Sequence, residues 1–286
     1  MDIGIGLPTT IPGATREQVL EFARRADAAG FSSLGTIDRL VYPNYEPLVA
    51  LAAAAAVTER ARLLTSVLLV PWRQNAALVA KQAATVQTLS GGRLVLGVAV
   101  GGRPDDFEAS GMEMKGRGPL IDAALEEMKE IWSGAERGFA GGIGPDVSGD
   151  PPPLILGGMV DASFERAARF GDGWIMGTGP AEAFSEARDK LVAAFEAAGR
   201  SEQPRAMSLS YFSLDADPEA QARSTIGDYY SFAPEYADFT VAGTAKGEDE
   251  VRERKRAFEE AGCDELVFFP ASADPEQVDK LAAIVL

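Results

Sequence analysis

The sequence contains no histidine among its 286 residues. Histidine is the side chain whose charge normally changes near neutral pH, and it is the commonest protein ligand of transition metals. Its absence excludes a mechanism that depends on a histidine base and makes a transition-metal centre an unfavourable hypothesis. Proton transfer, where it occurs, must therefore use other side chains or the solvent.

Cysteine, basic charge and long apolar runs are also scarce. The single cysteine, Cys263, excludes an intramolecular disulfide. The 27 basic residues are outnumbered by 43 acidic residues, and the net charge of -16 disfavours nucleic acids and anionic membranes as partners. The segment Leu48 to Val57 is too short to span a bilayer, and the N-terminus lacks the pattern of a signal peptide. We expect a cytoplasmic protein with no metal site.

What the sequence does contain is a regular alternation of strand-like and helix-like segments. A capping-box pattern at Thr15 and Gln18 opens the first amphipathic helix, which ends at Gly30. The eight predicted strands are 3–7, 33–37, 63–70, 94–100, 153–156, 173–176, 206–214 and 265–269. Eight parallel strands predict a (β/α)8 TIM barrel, because closure leaves no sheet edge unprotected. A doubly wound open sheet is the alternative.

The chain is long enough to form this barrel as one domain over residues 1–286. A glycine- and proline-containing stretch at about 134–153 lacks periodicity, and we interpret it as a long connection or a lid. A slack surface loop is the other interpretation of this stretch.

Glycine-rich loops follow three neighbouring predicted strands. Gly101 and Gly102 precede a pair of carboxylates, Gly157 and Gly158 precede a helix that begins near Asp161, and the third loop spans 177–179. Free backbone amides before a helix can bind an anion, and the carboxyl ends of barrel strands carry functional groups. Neither of the two later loops matches a Rossmann or Walker A pattern. Tight turns without a ligand are the alternative for each loop.

Several motifs together resemble one enzyme family. They are GIGLP near the start, Ile37-Asp38-Arg39, Thr65-Ser66-Val67, LSGGRLVLGVAVGG, the segment 117–122, LILGG and GDGW. In this order they are similar to the bacterial luciferase-like family of flavin- and deazaflavin-dependent oxidoreductases, over nearly the whole chain. The fold of that family is the (β/α)8 barrel that the alternation predicts independently.

The resemblance implies a site for coenzyme F420 or FMN at the barrel mouth. The ring would lie against a non-proline cis peptide near Ser66-Val67, and the phosphate would bind the backbone after strand five and an arginine at a helix start. Arginine suits phosphate because its planar fork donates two charge-assisted hydrogen bonds; a solvated charge is the alternative for that arginine. The residues implied in cofactor binding are Ser66, Val67, Arg117, Gly157, Gly158, Met159, Met176, Gly177 and Thr178.

The sequence departs from the family after strand two, where many relatives have histidine and this chain has Arg39. Asp38 and Arg39 are the candidate catalytic residues. Asp38 is a candidate proton acceptor or an anchor for a ring nitrogen or the backbone. Arg39 cannot act as a general base, but its fixed charge could stabilise an enolate, a flavin anion or a substrate carboxylate. Tyr42 and Asp105 could contribute from neighbouring loops.

We therefore expect an oxidoreductase that transfers hydride to or from a small organic substrate. F420 is the preferred cofactor, because direct hydride transfer needs less acid–base equipment than oxygen activation. A monooxygenase that uses reduced FMN is the first alternative, and a non-catalytic cofactor-binding barrel subunit is the second. A Schiff-base or metal-dependent lyase is disfavoured, since no lysine lies at a predicted strand end and no histidine is present.

Two helices also indicate a possible subunit interface. The segments Glu46 to Val57 and Asn75 to Leu89 have small or apolar faces that are wider than the shell of a monomeric barrel requires. They predict a homodimer through neighbouring helices. Packing of the same faces against the barrel is the alternative.

Overall fold

The computed structural model describes residues 1–286, and its nine strands all run parallel to their neighbours. The strands are β1 (Asp2–Gly6), β2 (Ser33–Thr36), β3 (Arg62–Leu69), β4 (Leu94–Ala99), β5 (Leu154–Gly157), β6 (Gly173–Met176), β7 (Arg205–Ser213), β8 (Ala245–Lys246) and β9 (Glu265–Pro270). Eight of them close in the order β1 to β7, then β9 and back to β1. The (β/α)8 barrel is confirmed.

Eleven α-helices accompany the strands. They are α1 (Arg16–Ala29), α2 (Pro47–Ala55), α3 (Ala76–Leu89), α4 (Pro104–Ser110), α5 (Arg117–Trp132), α6 (Asp161–Phe170), α7 (Ala181–Ala197), α8 (Pro218–Ala222), α9 (Pro234–Ala242), α10 (Gly247–Glu260) and α11 (Glu276–Val285). The capping box at Thr15 and Gln18 forms as predicted. None of these helices is both long and apolar enough to cross a membrane.

Two apolar clusters fill the barrel and its outer layer. Along β7, Met207, Leu209 and Tyr211 belong to the smaller cluster, whereas Ala206 and Phe212 belong to the cluster shared with the helices. Successive side chains of a strand point to opposite faces. Because both faces of the barrel wall are covered, its strands are almost entirely buried.

Charged side chains close the amino-terminal end of the barrel. The carboxylate of Glu265 in β9 is only 1% exposed and lies 3.0 Å from Arg62 in β3 and 2.8 Å from Arg205 in β7. Both arginines also pair with Asp2 of β1. A buried carboxylate is costly unless it is paired and hydrogen-bonded. This network therefore connects β1, β3, β7 and β9 at the amino-terminal end of the barrel.

The structure differs from the sequence-based expectation in three regions. The stretch between β7 and β9, for which no strand was predicted, contains α8, a π-helical turn at Arg223–Gly227, α9 and the two-residue strand β8. Helix α4 was not predicted, whereas Arg117 begins α5, as the resemblance implies for this arginine. Residues 134–153 contain a short 3-10 turn at Gly138–Ala140 and a bridge between Glu136 and Gly142.

The strands β3 and β4 pack closely at Gly97, and an alanine at this position tests that packing. A Cβ atom there would overlap the carbonyl oxygen of Thr65, a backbone atom that cannot rotate away. We expect Gly97→Ala to destabilise the protein by about 1–3 kcal/mol, the usual cost of overpacking. Gly102→Ala is the matched control, since nothing lies within 4 Å of its added Cβ. Urea unfolding of both variants measures the difference; equal stabilities would contradict this account of the barrel wall.

Candidate functional site

Asp38 lies just beyond the carboxyl end of β2 and is almost completely buried. Its Oδ2 accepts a hydrogen bond from the Leu69 amide at 2.8 Å, and Arg73 donates to both carboxylate oxygens at 3.0 Å. Arg73 also pairs with Glu46, at 2.9 Å, and its guanidinium lies over the ring of Trp72. Asp38 therefore joins the ends of two neighbouring strands through a buried ion pair.

Burial controls the protonation of this carboxyl. Desolvation raises the pKa of Asp38 to about 6, although the positive charge of Arg73 and the Leu69 amide act in the opposite direction. A carboxyl with a pKa of about 6 is mostly ionised at pH 7, and its protonation at that pH costs little free energy. Burial thus brings the titration of Asp38 closer to neutral pH than that of an ordinary aspartate.

Arg39 faces a different set of groups. Its guanidinium donates to the carbonyl oxygen of Tyr229 at 2.8 Å and to Oδ2 of Asp105 at 3.1 Å. Arg103, after β4, donates to the same two oxygens at 3.3 and 3.2 Å. Each arginine side chain is only 7% exposed. The two guanidinium groups therefore lie together at the barrel mouth and share one carboxylate and one backbone carbonyl.

Residues 228–239 cover this arginine pair, and we call them the aromatic segment. The ring of Phe232 lies 3.5 Å from the guanidinium carbon of Arg103. Tyr229 and Tyr230 pack edge to face, and the Tyr229 hydroxyl donates to the Asp38 carbonyl at 3.4 Å. Asp228 accepts a hydrogen bond from Tyr42 at 2.6 Å. The segment thus connects the β7–β8 excursion to the loop after β2.

The third and fifth strands meet at the position expected for a cofactor ring. The peptide bond between Ser66 and Val67 is cis, as expected from the resemblance. A Cβ atom at Gly157 would lie 3.2 Å from Cγ1 of Val67 and 3.3 Å from Cβ of Ala99. The Ser66 hydroxyl is buried and has no hydrogen-bond partner. The structure therefore brings Ser66, Val67 and Gly157 together at the end of the barrel wall.

The loop after β5 presents unused backbone donors. None of the amides of residues 158–162 donates a hydrogen bond, and no side chain caps the start of α6. Gly158 has φ +130, and a Cβ atom there would overlap the Ser163 hydroxyl. The Gly158 carbonyl accepts from the indole nitrogen of Trp174 at 2.6 Å, which fixes the loop. Met159 is exposed beside these amides.

Arg117 is the first residue of α5, which packs beside α6. Its guanidinium donates one hydrogen bond, to the Met114 carbonyl at 3.0 Å, and its buried Nε has no partner. Arg166 of α6 pairs with Asp122 of α5 at 2.5 Å. This pair holds the start of α5 close to α6. Arg117 is thus a cation with an unused donor next to the helix that follows the glycine loop.

The remaining predicted binding residues are the last residue of β6, the neighbour of β5, and the loop that follows it. Met176 is buried, and its Cε lies 3.4 Å from the position of a Cβ atom on Gly179. The Thr178 hydroxyl is 3.0 Å from the hydroxyl of Tyr236 in α9. Nothing lies within 4 Å of a Cβ atom on Gly177. The β6 loop therefore borders both the β5 loop and the aromatic segment.

Two features of the site were missed in the sequence. The aromatic segment contains five aromatic residues within 229–239, and this density was the available signal. Lys246, in β8, pairs with Glu219 at 2.7 Å. No sequence pattern indicates the two-residue β8, so a lysine at the end of this strand was missed.

Comparison with known sequences gives a family match. Residues 1–282 match the family model described as luciferase-like monooxygenase. An uncharacterized protein of Mycobacterium tuberculosis is 31% identical over 227 residues, which cover 68% of this chain and 78% of the relative. The F420-dependent glucose-6-phosphate dehydrogenase of Mycolicibacterium fortuitum is 29% identical over 248 residues, covering 78% of this chain and 73% of that enzyme.

Comparison with solved structures gives the same fold. An F420-dependent secondary alcohol dehydrogenase in complex with an F420-acetone adduct aligns with a TM-score of 0.82 at 18% identity, covering 99% of this chain and 98% of that one. The oxygenating constituent of 3,6-diketocamphane monooxygenase from Pseudomonas putida, in complex with FMN, aligns with a TM-score of 0.77 at 18% identity, covering 100% and 96%. At these identities the likeness concerns the fold alone.

The protonation of Asp38 can be measured directly. Carbon-13 NMR of the side-chain carboxyls, assigned by loss of one signal in Asp38→Asn, should show a midpoint near pH 6. Arg73→Gln should move that midpoint higher, because it removes a charge that lowers the pKa. Since the folded-state pKa lies above the usual value, the Asp38 contribution to the free energy of unfolding should fall as the pH rises from about 4 to about 6. A midpoint near 4 would show that the ion pair outweighs burial.

Proposed function

Since the chain belongs to the family of luciferase-like monooxygenases, we propose that it is an oxidoreductase that uses F420 or FMN for hydride transfer to or from a small organic substrate. The observation that carries this proposal is the group of unused donors beside the cis peptide. It consists of the amides of residues 158–162 and the buried Nε of Arg117. Such donors fit a phosphate, which both cofactors contain.

The chain's own residues would hold the cofactor at its phosphate and at its ring. The amides after Gly157 and the Arg117 guanidinium would bind the phosphate, and Val67 at the cis peptide would support the ring. The Ser66 hydroxyl has a free donor for a polar atom of the same ring. When bound, F420 or FMN supplies the hydride acceptor or donor, so the protein need not provide a redox group.

Asp38 and Arg39 have separate tasks in this proposal. Asp38, with a pKa of about 6, accepts or holds a proton while the substrate changes its oxidation state. Arg39 provides a fixed positive charge for an oxygen that gains negative charge. The aromatic segment covers Arg39, and the Asp38 carboxyl is buried against Arg73 and the Leu69 amide. The chain thus supplies proton transfer, charge stabilisation and a dry pocket without histidine.

F420 is the cofactor we propose first. A histidine-free site suits direct hydride transfer, and a relative of this chain, the enzyme of Mycolicibacterium fortuitum, is F420-dependent. A monooxygenase that uses reduced FMN is the second candidate, and the description of the matching family model favours it. The two candidates share the phosphate site and differ in whether oxygen is consumed.

Equilibrium titration with FMN and F420, each oxidised and reduced, tests the proposal. We expect submicromolar to micromolar binding of one cofactor and at least tenfold weaker binding by Arg117→Ala, because a charge-assisted hydrogen bond contributes about 1.5–3 kcal/mol. Arg169→Ala is the matched control, since Arg169 lies on exposed α6 and pairs with Glu126. Affinity that falls equally in both variants would contradict the role of Arg117.

The outcomes separate the candidate functions. Binding of F420 followed by stereospecific hydride transfer supports the proposed activity. Substrate-dependent oxygen consumption with reduced FMN, together with no F420 binding, supports the monooxygenase. Tight cofactor binding without turnover on varied acceptors identifies a non-catalytic subunit, and binding of neither cofactor contradicts the site.

We also propose a homodimer formed through α2 and α3. A groove of about 350 Å³ lies between these helices and is lined by Leu48, Ala52 and Val86. Val49 and Leu78 at its border are 66% and 51% exposed. Apolar side chains of this size are costly to leave in water. A second copy related by twofold symmetry would cover the same groove on both subunits.

The dimer predicts a change of molecular mass in a charged variant. Val49→Glu should shift the protein from dimer to monomer in sedimentation equilibrium, because the twofold axis brings two buried carboxylates into one interface. Val160→Glu, at an exposed apolar residue before α6, is the matched control and should leave the mass unchanged. A monomeric unmodified protein at micromolar concentration would contradict the proposal.

A further inference from the structure

The arginine pair at the barrel mouth has more hydrogen-bond donors than acceptors. Arg39 and Arg103 each carry five N–H groups, yet their side chains make hydrogen bonds only to the Tyr229 carbonyl and to Asp105. The Nε atoms of both arginines are buried without a hydrogen-bond partner. Buried donors without acceptors are rare because they lose their hydration. The pair is therefore built to receive another oxygen-bearing group.

The acidic residues around the arginine pair do not accept all the hydrogen bonds that it can donate. One oxygen of Asp105, a residue at the start of α4, serves both guanidinium groups. Asp106 directs one oxygen to the amides of Leu40 and Val41, and its other oxygen is 3.8 Å from the Nε of Arg103 without a hydrogen bond. Asp106 thus balances charge, but it does not satisfy the donors.

The second acceptor, the Tyr229 carbonyl, is replaceable. It is a neutral oxygen, whereas an anionic oxygen at the same place would add a Coulomb attraction to both guanidinium groups. The carbonyl also belongs to the aromatic segment, in which Asp228 accepts a hydrogen bond from Tyr42 of the loop after β2. An ionised oxygen would therefore compete well for the position that the carbonyl occupies.

The surroundings also define the shape of the ligand. The guanidinium of Arg39 lies 4.5 Å from the ring centroid of Tyr42 and 5.4 Å from that of Tyr229, and Phe232 covers Arg103. Flat aromatic or unsaturated groups pack well against such rings and against guanidinium planes. A planar ligand with an anionic end fits both features.

We propose that Arg39 and Arg103 bind the carboxylate or phosphate group of a planar organic substrate, which displaces the Tyr229 carbonyl and moves the aromatic segment aside. As a substrate site it rests on the proposed function, whereas the binding itself needs no cofactor. The pair thereby determines which substrates enter, because a neutral analogue cannot replace the carbonyl at equal strength.

Isothermal titration of the cofactor-free protein with three probes tests this site. The probes are benzoate, phenyl phosphate and the neutral isostere benzamide. We expect at least one anion to bind at least tenfold more tightly than benzamide, and the tighter anion identifies the substrate group. Hydrogen exchange of residues 229–239 should become faster on binding. Equal affinity for benzamide, or unchanged exchange, overturns the proposal.

Variants locate the site. Arg39→Gln and Arg103→Gln should each weaken anion binding about tenfold or more, whereas Arg16→Gln, at an exposed arginine of α1, should not. Tyr42→Phe removes only the hydroxyl that holds Asp228, so it should fold normally and bind the anion roughly two- to tenfold more tightly. Loss of binding in Arg117→Ala but not in Arg39→Gln would overturn the proposal.

The cofactor titration separates this inference from the proposed function. If the protein binds anions through Arg39 but binds neither F420 nor FMN, the proposed oxidoreductase activity is contradicted and the anion site is supported. If the protein binds a cofactor but no anion, the proposed oxidoreductase activity is supported and the anion site is contradicted.

Discussion

Closure of the barrel is the constraint on which every candidate functional group depends, because it brings the ends of eight strands to one rim. The last step of closure is the pairing of β9 with both β1 and β7, in register from Glu265 onward. Glu265 also holds Arg62 and Arg205 at the opposite end of the barrel. The ionic network therefore fixes the strands at the amino-terminal end of the barrel, and the rim at the carboxyl end is available for polar groups. This division between a stabilising end and a functional end is typical of the fold.

At the rim, the buried side chains of Asp38 and Arg39 carry opposite charges but belong to different groups of contacts. Asp38 and Arg39 are neighbours in sequence, but they point to different groups. Asp38 pairs with Arg73 from the segment after β3, whereas Arg39 joins Arg103 from the loop after β4. The segment after β2 therefore contributes side chains to two separate groups of contacts. In the proposed function, a proton-accepting group and a cationic group would thus act on different parts of one ligand.

The barrel could be predicted from sequence because its signals are local. Each strand is a short apolar run between turn residues, and each long helix has an apolar face. The cis peptide at Ser66-Val67 required the family resemblance, since no local pattern indicates it. The contact of Arg39 with Tyr229 was beyond reach because 190 residues separate the two. Helix α4 has only seven residues, too few for a periodic pattern. The residues of the candidate site were therefore predictable in part, while their mutual contacts were not.

The rim also restricts where a proton can reside. Burial raises the pKa of Tyr211 and Tyr229 well above the ordinary value, so these phenols stay neutral at physiological pH and act as hydrogen-bond donors. Asp105 is held ionised because Arg103 and Arg39 lower its pKa against the effect of burial. Among these groups Asp38 alone has a pKa of about 6. Asp38 is therefore the group at this rim whose proton can exchange near neutral pH, next to the guanidinium of Arg39.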